Sequence, residues 1–131
     1  MTKLTPILAG IFLLSLPVAV PAHHSFVVHY VGEHIISVTG VVEEFRFRNP
    51  HGIIFVNGTS SDGNSGSWKI ETNSPNILRR RGWTDKSISP GDEVIIEGYP
   101  ARDGSNAMRI FRVRFADGSE MIGQRPSADN E

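Results

Sequence analysis

The chain has 131 residues, 39% of them apolar and 21% charged, which is enough for one small globular domain and too few for a second lobe around a deep cleft. Thirteen basic against fourteen acidic residues give a formal charge of −1, so no strong field selects nucleic acid or an anionic membrane. Cysteine is absent, which removes disulfides, thiolate metal sites, cysteine nucleophiles and a lipidated cysteine, and leaves five histidines as candidate soft ligands.

Residues 1–22 read as a secretory signal peptide. Lys3 supplies the charged start, residues 7–16 the apolar run, Pro17 the helix break, and Val20, Pro21 and Ala22 the small side chains before a cut. A membrane anchor is the alternative, but Gly10, Ser15, Pro17 and Pro21 interrupt the run, which falls short of the roughly 20 apolar residues a spanning helix needs. Cleavage after Ala22 leaves His23 as the new amino terminus, and residues 23–34 form an arm ahead of the domain.

Residues 35–47 are rich in strand formers, but their apolar parity changes: Ile36, Val38 and Val42 share one face, Phe45 and Phe47 the other. A long strand bulged between Gly40 and Glu44 satisfies both sets and turns from one side of a small barrel to the next. Asn49-Pro50-His51-Gly52 then makes a corner, because Pro50 has no amide donor and Gly52 relaxes the backbone. A short second strand covers residues 53–56, an exposed loop residues 58–66, and a third strand turns Trp68, Ile70 and Thr72 inward. In the next segment Ser74 suits an N-cap, Pro75 the first helical position, Arg79 to Arg81 the carboxyl end of the helix dipole and Gly82 a left-handed stop. Trp83, just past that glycine, can fold back on Ile77 or Leu78. Pro90-Gly91-Asp92 leads into a fourth strand over residues 93–99 with Val94 and Ile96 inward. The turn Arg102-Asp103-Gly104 leads into a fifth, with Phe111, Val113 and Phe115 on one face and Arg112 and Arg114 on the other.

Strand, strand, strand, short helix, strand, strand over residues 35–122 fits an all-β fold, a five-stranded OB-like Greek-key barrel with one short helix. A β-sandwich usually needs about seven strands. Residues 123–131 are polar and read as a disordered tail.

The pieces Ala22-His23-His24-Ser25-Phe26, Thr39-Gly40-Val41-Val42, Asn49-Pro50-His51, Ser74-Pro75-Asn76 with Leu78 to Trp83, Pro90-Gly91-Asp92-Glu93-Val94 and Asp103-Gly104-Ser105 span nearly all of the mature chain. Together they resemble a family of small exported bacterial proteins known only as a domain of unknown function. The resemblance implies an exported OB-like domain and brings no catalytic residues; His29 and His34 depart from its pattern.

The chemistry must therefore come from side chains. An amino-terminal His23 can offer its α-amine and imidazole to one ion, and His24 or His51 a third nitrogen, a set suited to Cu(II). The amine loses its proton at a pKa of about 7.7–8, at little cost near neutrality. Zn(II) would accept His23, His24 and His51 with a carboxylate or water in the fourth place. The plain alternatives are a solvated histidine tail and a His51 that donates one ring nitrogen to a backbone carbonyl. Arg46, Arg48, Arg79 to Arg81, Arg112 and Arg114 are offset by Glu43, Glu44, Glu71 and Glu97, which reads as a salt-bridged exterior rather than an oligonucleotide face. Ser74 sits in a capping context, and the carboxylate pairs Glu43-Glu44 and Asp92-Glu93 point to opposite faces, so a copper oxidase built on His23 is the only enzyme reading with a mechanism. The expectation is an exported periplasmic, non-enzymatic binding protein for copper or zinc, with metal ligands His23, His24 and His51, no nucleic-acid partner and no membrane span after processing. The competing expectation is an adaptor for a periplasmic protein or envelope glycan, docked in a groove between the loop 58–66 and Arg79 to Arg81.

Overall fold

A computed structural model describes residues 29–124. The expected leader, residues 125–131 of the polar tail, and His23 and His24 lie outside the described residues.

The first strand, β1 (Ile36–Arg46), contains the bend that makes a barrel possible. Val42 pairs with Val56 and Glu44 with Phe55, so Glu43 is an extra residue and the side-chain phase inverts there. Ile36, Val38 and Val42 are buried before the bulge, while Phe45 and Phe47 pack against the core after it, as the parity change predicts. β2 (Ile53–Ser60) and β3 (Ser65–Glu71) follow, then α1 (Pro75–Arg80), β4 (Glu93–Pro100), β5 (Ala107–Phe115) and β6 (Glu120–Ile122). Antiparallel pairing runs β3-β2-β1-β4-β5, and a parallel seam of Lys69 to Ala107, Ile70 to Met108 and Glu71 to Arg109 closes the ring. The result is a closed five-stranded, OB-like barrel with one short helix.

Three details differ from the sequence expectation. The loop expected over residues 58–66 is shorter, because β2 runs on to Ser60 and β3 starts at Ser65. Asn57, Gly58 and Thr59 carry no apolar signal, yet β1 is long enough to offer them main-chain partners at Val41, Gly40 and Thr39. Within β5, Phe111 does not share a face with Val113. Glu97 pairs with Arg112 but Gly98 with Ile110, so Phe111 is bulged out and Met108, Ile110 and Val113 point inward. β6, absent from the expectation, hydrogen-bonds to β5, and the ordered chain runs further than expected: Gly123 and Gln124 donate their amides to the Phe111 carbonyl at 2.9 and 3.1 Å.

The core holds residues from every element of the closed barrel together with Leu78, Trp83 and Ile88. α1 ends as the sequence predicts. Gly82 has φ +86°, its amide donates to Arg79 O at 3.0 Å, and the Trp83 amide reaches Leu78 O at 3.1 Å. This left-handed stop turns Trp83 into the core beside the buried Leu78, not the exposed Ile77. Ser74 holds the N-cap position, but its side chain makes no capping bond. Outside the barrel, Arg112 and Arg114 both pair with Glu97 and Glu120 at 2.5–3.6 Å, the salt-bridged exterior expected of these charges.

The two tryptophans give a paired prediction. Trp83 Nε1 donates to Ile122 O at 3.0 Å, whereas the buried Trp68 Nε1 has no hydrogen-bond partner among the described residues. Both substitutions to Phe leave a comparable cavity, but only Trp83→Phe loses a hydrogen bond, while Trp68→Phe removes an unsatisfied buried donor. Urea unfolding should find Trp83→Phe the more destabilised by about 1–2 kcal/mol. Equal losses would show that the Trp68 indole N–H is satisfied.

Candidate functional site

The corner that carries His51 is fixed from below by β3. The Gly52 amide donates to Asn73 O at 3.2 Å and the Thr72 amide to Gly52 O at 2.8 Å, which lays residues 51–52 against the end of β3. Only glycine fits there, since a Cβ on Gly52 would stand 2.4 Å from the buried Thr72 Oγ1. The Asn49–Pro50 peptide is cis. His51 projects beside Glu71, with Nε2 3.8 Å from Glu71 Oε1, and its side chain is 47% exposed.

Arg109 enters from β5 because the parallel seam registers Arg109 with Glu71. Its side chain is 11% exposed, and three separate acceptors hold its guanidinium. Nη1 donates to Glu71 Oε1 at 2.6 Å, Nη2 to Asn73 Oδ1 at 2.5 Å and Nε to Gln124 Oε1 at 3.1 Å. Asn73 Nδ2 in turn donates to Gly123 O at 3.0 Å, and Arg81 from the end of α1 donates to the same carbonyl.

The end of the arm completes the site. Val31 donates to Pro100 O and Arg102 to His29 O, both at 2.9 Å, and Tyr30 bridges to Ala101, so the arm extends the pairing past the end of β4. This places the Tyr30 hydroxyl 2.9 Å from Glu71 Oε2, to which it donates. Burial, with the Glu71 carboxylate as the next cause, pushes the phenol far above its ordinary range. Tyr30 thus stays a donor to Glu71.

These groups line one cavity of about 580 Å³, whose walls are His29, Tyr30, His51, Glu71, Asn73, Ile77, Arg81, Arg109 and Gln124. A second depression of about 430 Å³ on the β1–β4 face is mostly apolar, with Val41 and Ile95 exposed in it, and its charged lining is Glu93 and Arg114 alone. Corner, seam and arm thus bring His29, Tyr30, His51, Glu71, Arg81 and Arg109 together in the first cavity.

Of the expected ligands, His51 is in this cavity. Among the described residues no three His, Asp or Glu side chains gather into a metal cluster, and no helix is long and apolar enough to cross a membrane. The β2–β3 loop and Arg79 to Arg81, expected to flank one groove, stand at opposite ends of β3: the loop precedes Ser65 and the helix follows Glu71. That strand separates them by roughly 20 Å at the usual rise per residue. Arg79 instead lies over the Phe47 ring at 5.1 Å. Tyr30, Glu71, Asn73, Arg109 and Gln124 are site residues that sequence reading passes over. The available signal was topological, because an OB closure sets the end of β3 beside the start of β5, where Glu71 and Arg109 carry opposite charge.

No curated protein and no solved structure matches the chain. The profile of a family of unknown function, DUF6152, matches residues 10–109, the stretch that contains the corner, the seam and the Tyr30 arm. Since that match takes in most of the sequence, the chain belongs to the DUF6152 family.

Proposed function

We propose that the protein is an exported, periplasmic, non-enzymatic binding module that holds Cu(II) or Zn(II) through His51 and the histidines of a processed amino terminus, His23 and His24. The observation that carries this reading is that the exposed His51 ring opens into the same cavity as His29 of the arm. His24 precedes His29 by five residues, a reach of at most about 17 Å, which spans a cavity of this size. Tyr30 anchors the arm two ways, through its hydroxyl to Glu71 and its backbone bridge to Ala101, so only the short stretch before it has to be ordered for an ion to be gripped. A bidentate amine–imidazole terminus with one further imidazole suits Cu(II), which also heads the divalent affinity order.

The test is a Cu(II) competition titration of protein beginning at His23 against the same protein with its α-amine acetylated. Acetylation removes one donor, and affinity should fall at least about tenfold, or 1.4 kcal/mol. Equal affinities reject the terminal-amine reading.

A further inference from the structure

The cavity at the corner holds more hydrogen-bond donors than its own acceptors take up. Its carboxylate and carboxamide oxygens are all engaged: Arg109 Nη1 donates to Glu71 Oε1, the Tyr30 hydroxyl to Glu71 Oε2, Arg109 Nη2 to Asn73 Oδ1 and Arg109 Nε to Gln124 Oε1. The donors are not. A guanidinium has five N–H groups, and these bonds use three of those on Arg109. Because Arg109 can only donate, it fixes Gln124 Oε1 toward itself and leaves Gln124 Nε2, which makes no hydrogen bond among the described residues. A neutral His51 ring carries one N–H, and that ring makes no hydrogen bond among the described residues either, since Glu71 stands 3.8 Å away. The charge of the lining leans the same way: among its described residues two guanidiniums, Arg81 and Arg109, face the single carboxylate of Glu71.

We propose that this cavity binds a small organic monocarboxylate. A carboxylate only accepts, through two oxygens, so it answers a lining whose donors are in excess, and its one negative charge answers the one guanidinium beyond Glu71. Gln124 Nε2, the His51 N–H and the remaining N–H groups of Arg109 hold it, and Arg81 adds its charge from the end of α1. The Arg109 side chain is only 11% exposed, and a hydrogen bond from a cation sheltered from water is stronger than one on an open surface. Ile77, 38% exposed, lines the same cavity and offers the ligand's body an apolar contact that an inorganic oxyanion would leave unused. The volume of about 580 Å³ lies within the roughly 300–1,000 Å³ of small-molecule sites. Glu71 opposes the anion and offsets part of the Arg109 charge, so it limits the affinity. The site needs neither a metal ion nor the amino terminus.

The probe is benzoate, titrated into chelator-treated mature full-length protein and followed by the NMR signals of the Gln124 side chain and of the Gly52 and Gly123 amides. Benzoate should shift them saturably, with a Kd of about 10 mM or tighter, as befits a fragment of this size. Benzamide has the same shape but exchanges an anionic oxygen for a donor, and should bind at least about tenfold more weakly; inorganic phosphate should also bind more weakly than benzoate. Gln124→Glu still offers Arg109 an acceptor but puts a charged oxygen in place of Nε2, and should weaken benzoate at least about tenfold. Glu71→Gln removes the opposing charge and should tighten benzoate about threefold or more, whereas mere damage to the cavity wall would weaken it. Thermal melting by circular dichroism checks that each variant folds, and should Glu71→Gln fail to, Gln124→Glu and the benzamide comparison decide alone. Benzamide binding like benzoate, benzoate binding unweakened to Gln124→Glu, or a folded Glu71→Gln binding it more weakly than wild type overturns the anion site. Phosphate binding more tightly than benzoate at the same signals overturns the organic ligand, and no saturable shift overturns both. Each of these outcomes is independent of the Cu(II) titration, because no metal is present.

Discussion

Gly40→Ala is expected to destabilise the barrel by roughly 3 kcal/mol or more, or to prevent folding outright. A Cβ on Gly40 would stand 2.2 Å from Asn57 O, 2.6 Å from Gly58 Cα and 2.8 Å from Asn57 C, all of them backbone atoms of the neighbouring strand. No rotamer can relieve that, so β1 and β2 must part at the centre of their ladder. The opposing residue is also glycine, and a Cβ on Gly58 would meet Thr39 O at 2.4 Å. Gly40, Gly58 and Gly66 stand side by side across three strands, a line along which the sheet can coil tightly because no side chain intervenes. Gly63→Ala is the control. Gly63 sits in the β2–β3 turn at φ +88° with nothing within 4 Å of an added Cβ, so its substitution meets backbone strain alone, about 1–2 kcal/mol. Urea unfolding of the two variants decides the matter, and equal losses would mean that the close approach at Gly40 relaxes freely.

Replacing Arg109 by Met should cost roughly 2–3 kcal/mol. Removing one partner of a fully buried ion pair costs about 3–5 kcal/mol, and the 25% exposure of Glu71 lowers that figure because water can reach the orphaned carboxylate. Asn73 Oδ1 and Gln124 Oε1 also lose their donor, while the aliphatic stem of Arg109 is replaced in kind by Met. Arg109→Lys should recover only part of the loss, since one ammonium cannot address three acceptors held in a plane. A double-mutant cycle with Glu71→Gln isolates the pair: in that background Arg109→Met should cost at least 1 kcal/mol less. A loss within 0.5 kcal/mol of zero for the single variant, about the scatter of surface substitutions, would make this network ornamental to the fold.

The parity change between Val42 and Phe45 made the β1 bulge legible, because each phase contained bulky residues that had to be buried. The β5 bulge was hidden by the same kind of pattern: Ile110 and Phe111 are adjacent and both apolar, so either phase could be read, and only pairing against Gly98 decides which one points inward. The second half of β2 was illegible for a different reason, since Asn57-Gly58-Thr59-Ser60 is held by main-chain partners that leave no trace in its side chains. At the site, proline and glycine announced the corner and the histidine between them. Glu71 and Arg109 instead looked like two members of a mixed surface charge population, 38 positions apart. Their meeting depends on ring closure, which no local pattern encodes.

That closing seam has a temporal consequence. It joins segments on either side of α1, and its last rung is also the ion pair at the heart of the cavity. Contacts of long sequence separation must await the looping of the intervening chain, so this rung belongs among the late events of folding. The chamber accordingly cannot exist before the ring closes, and a chain that has not yet closed it lacks the wall that Glu71 and Arg109 build together.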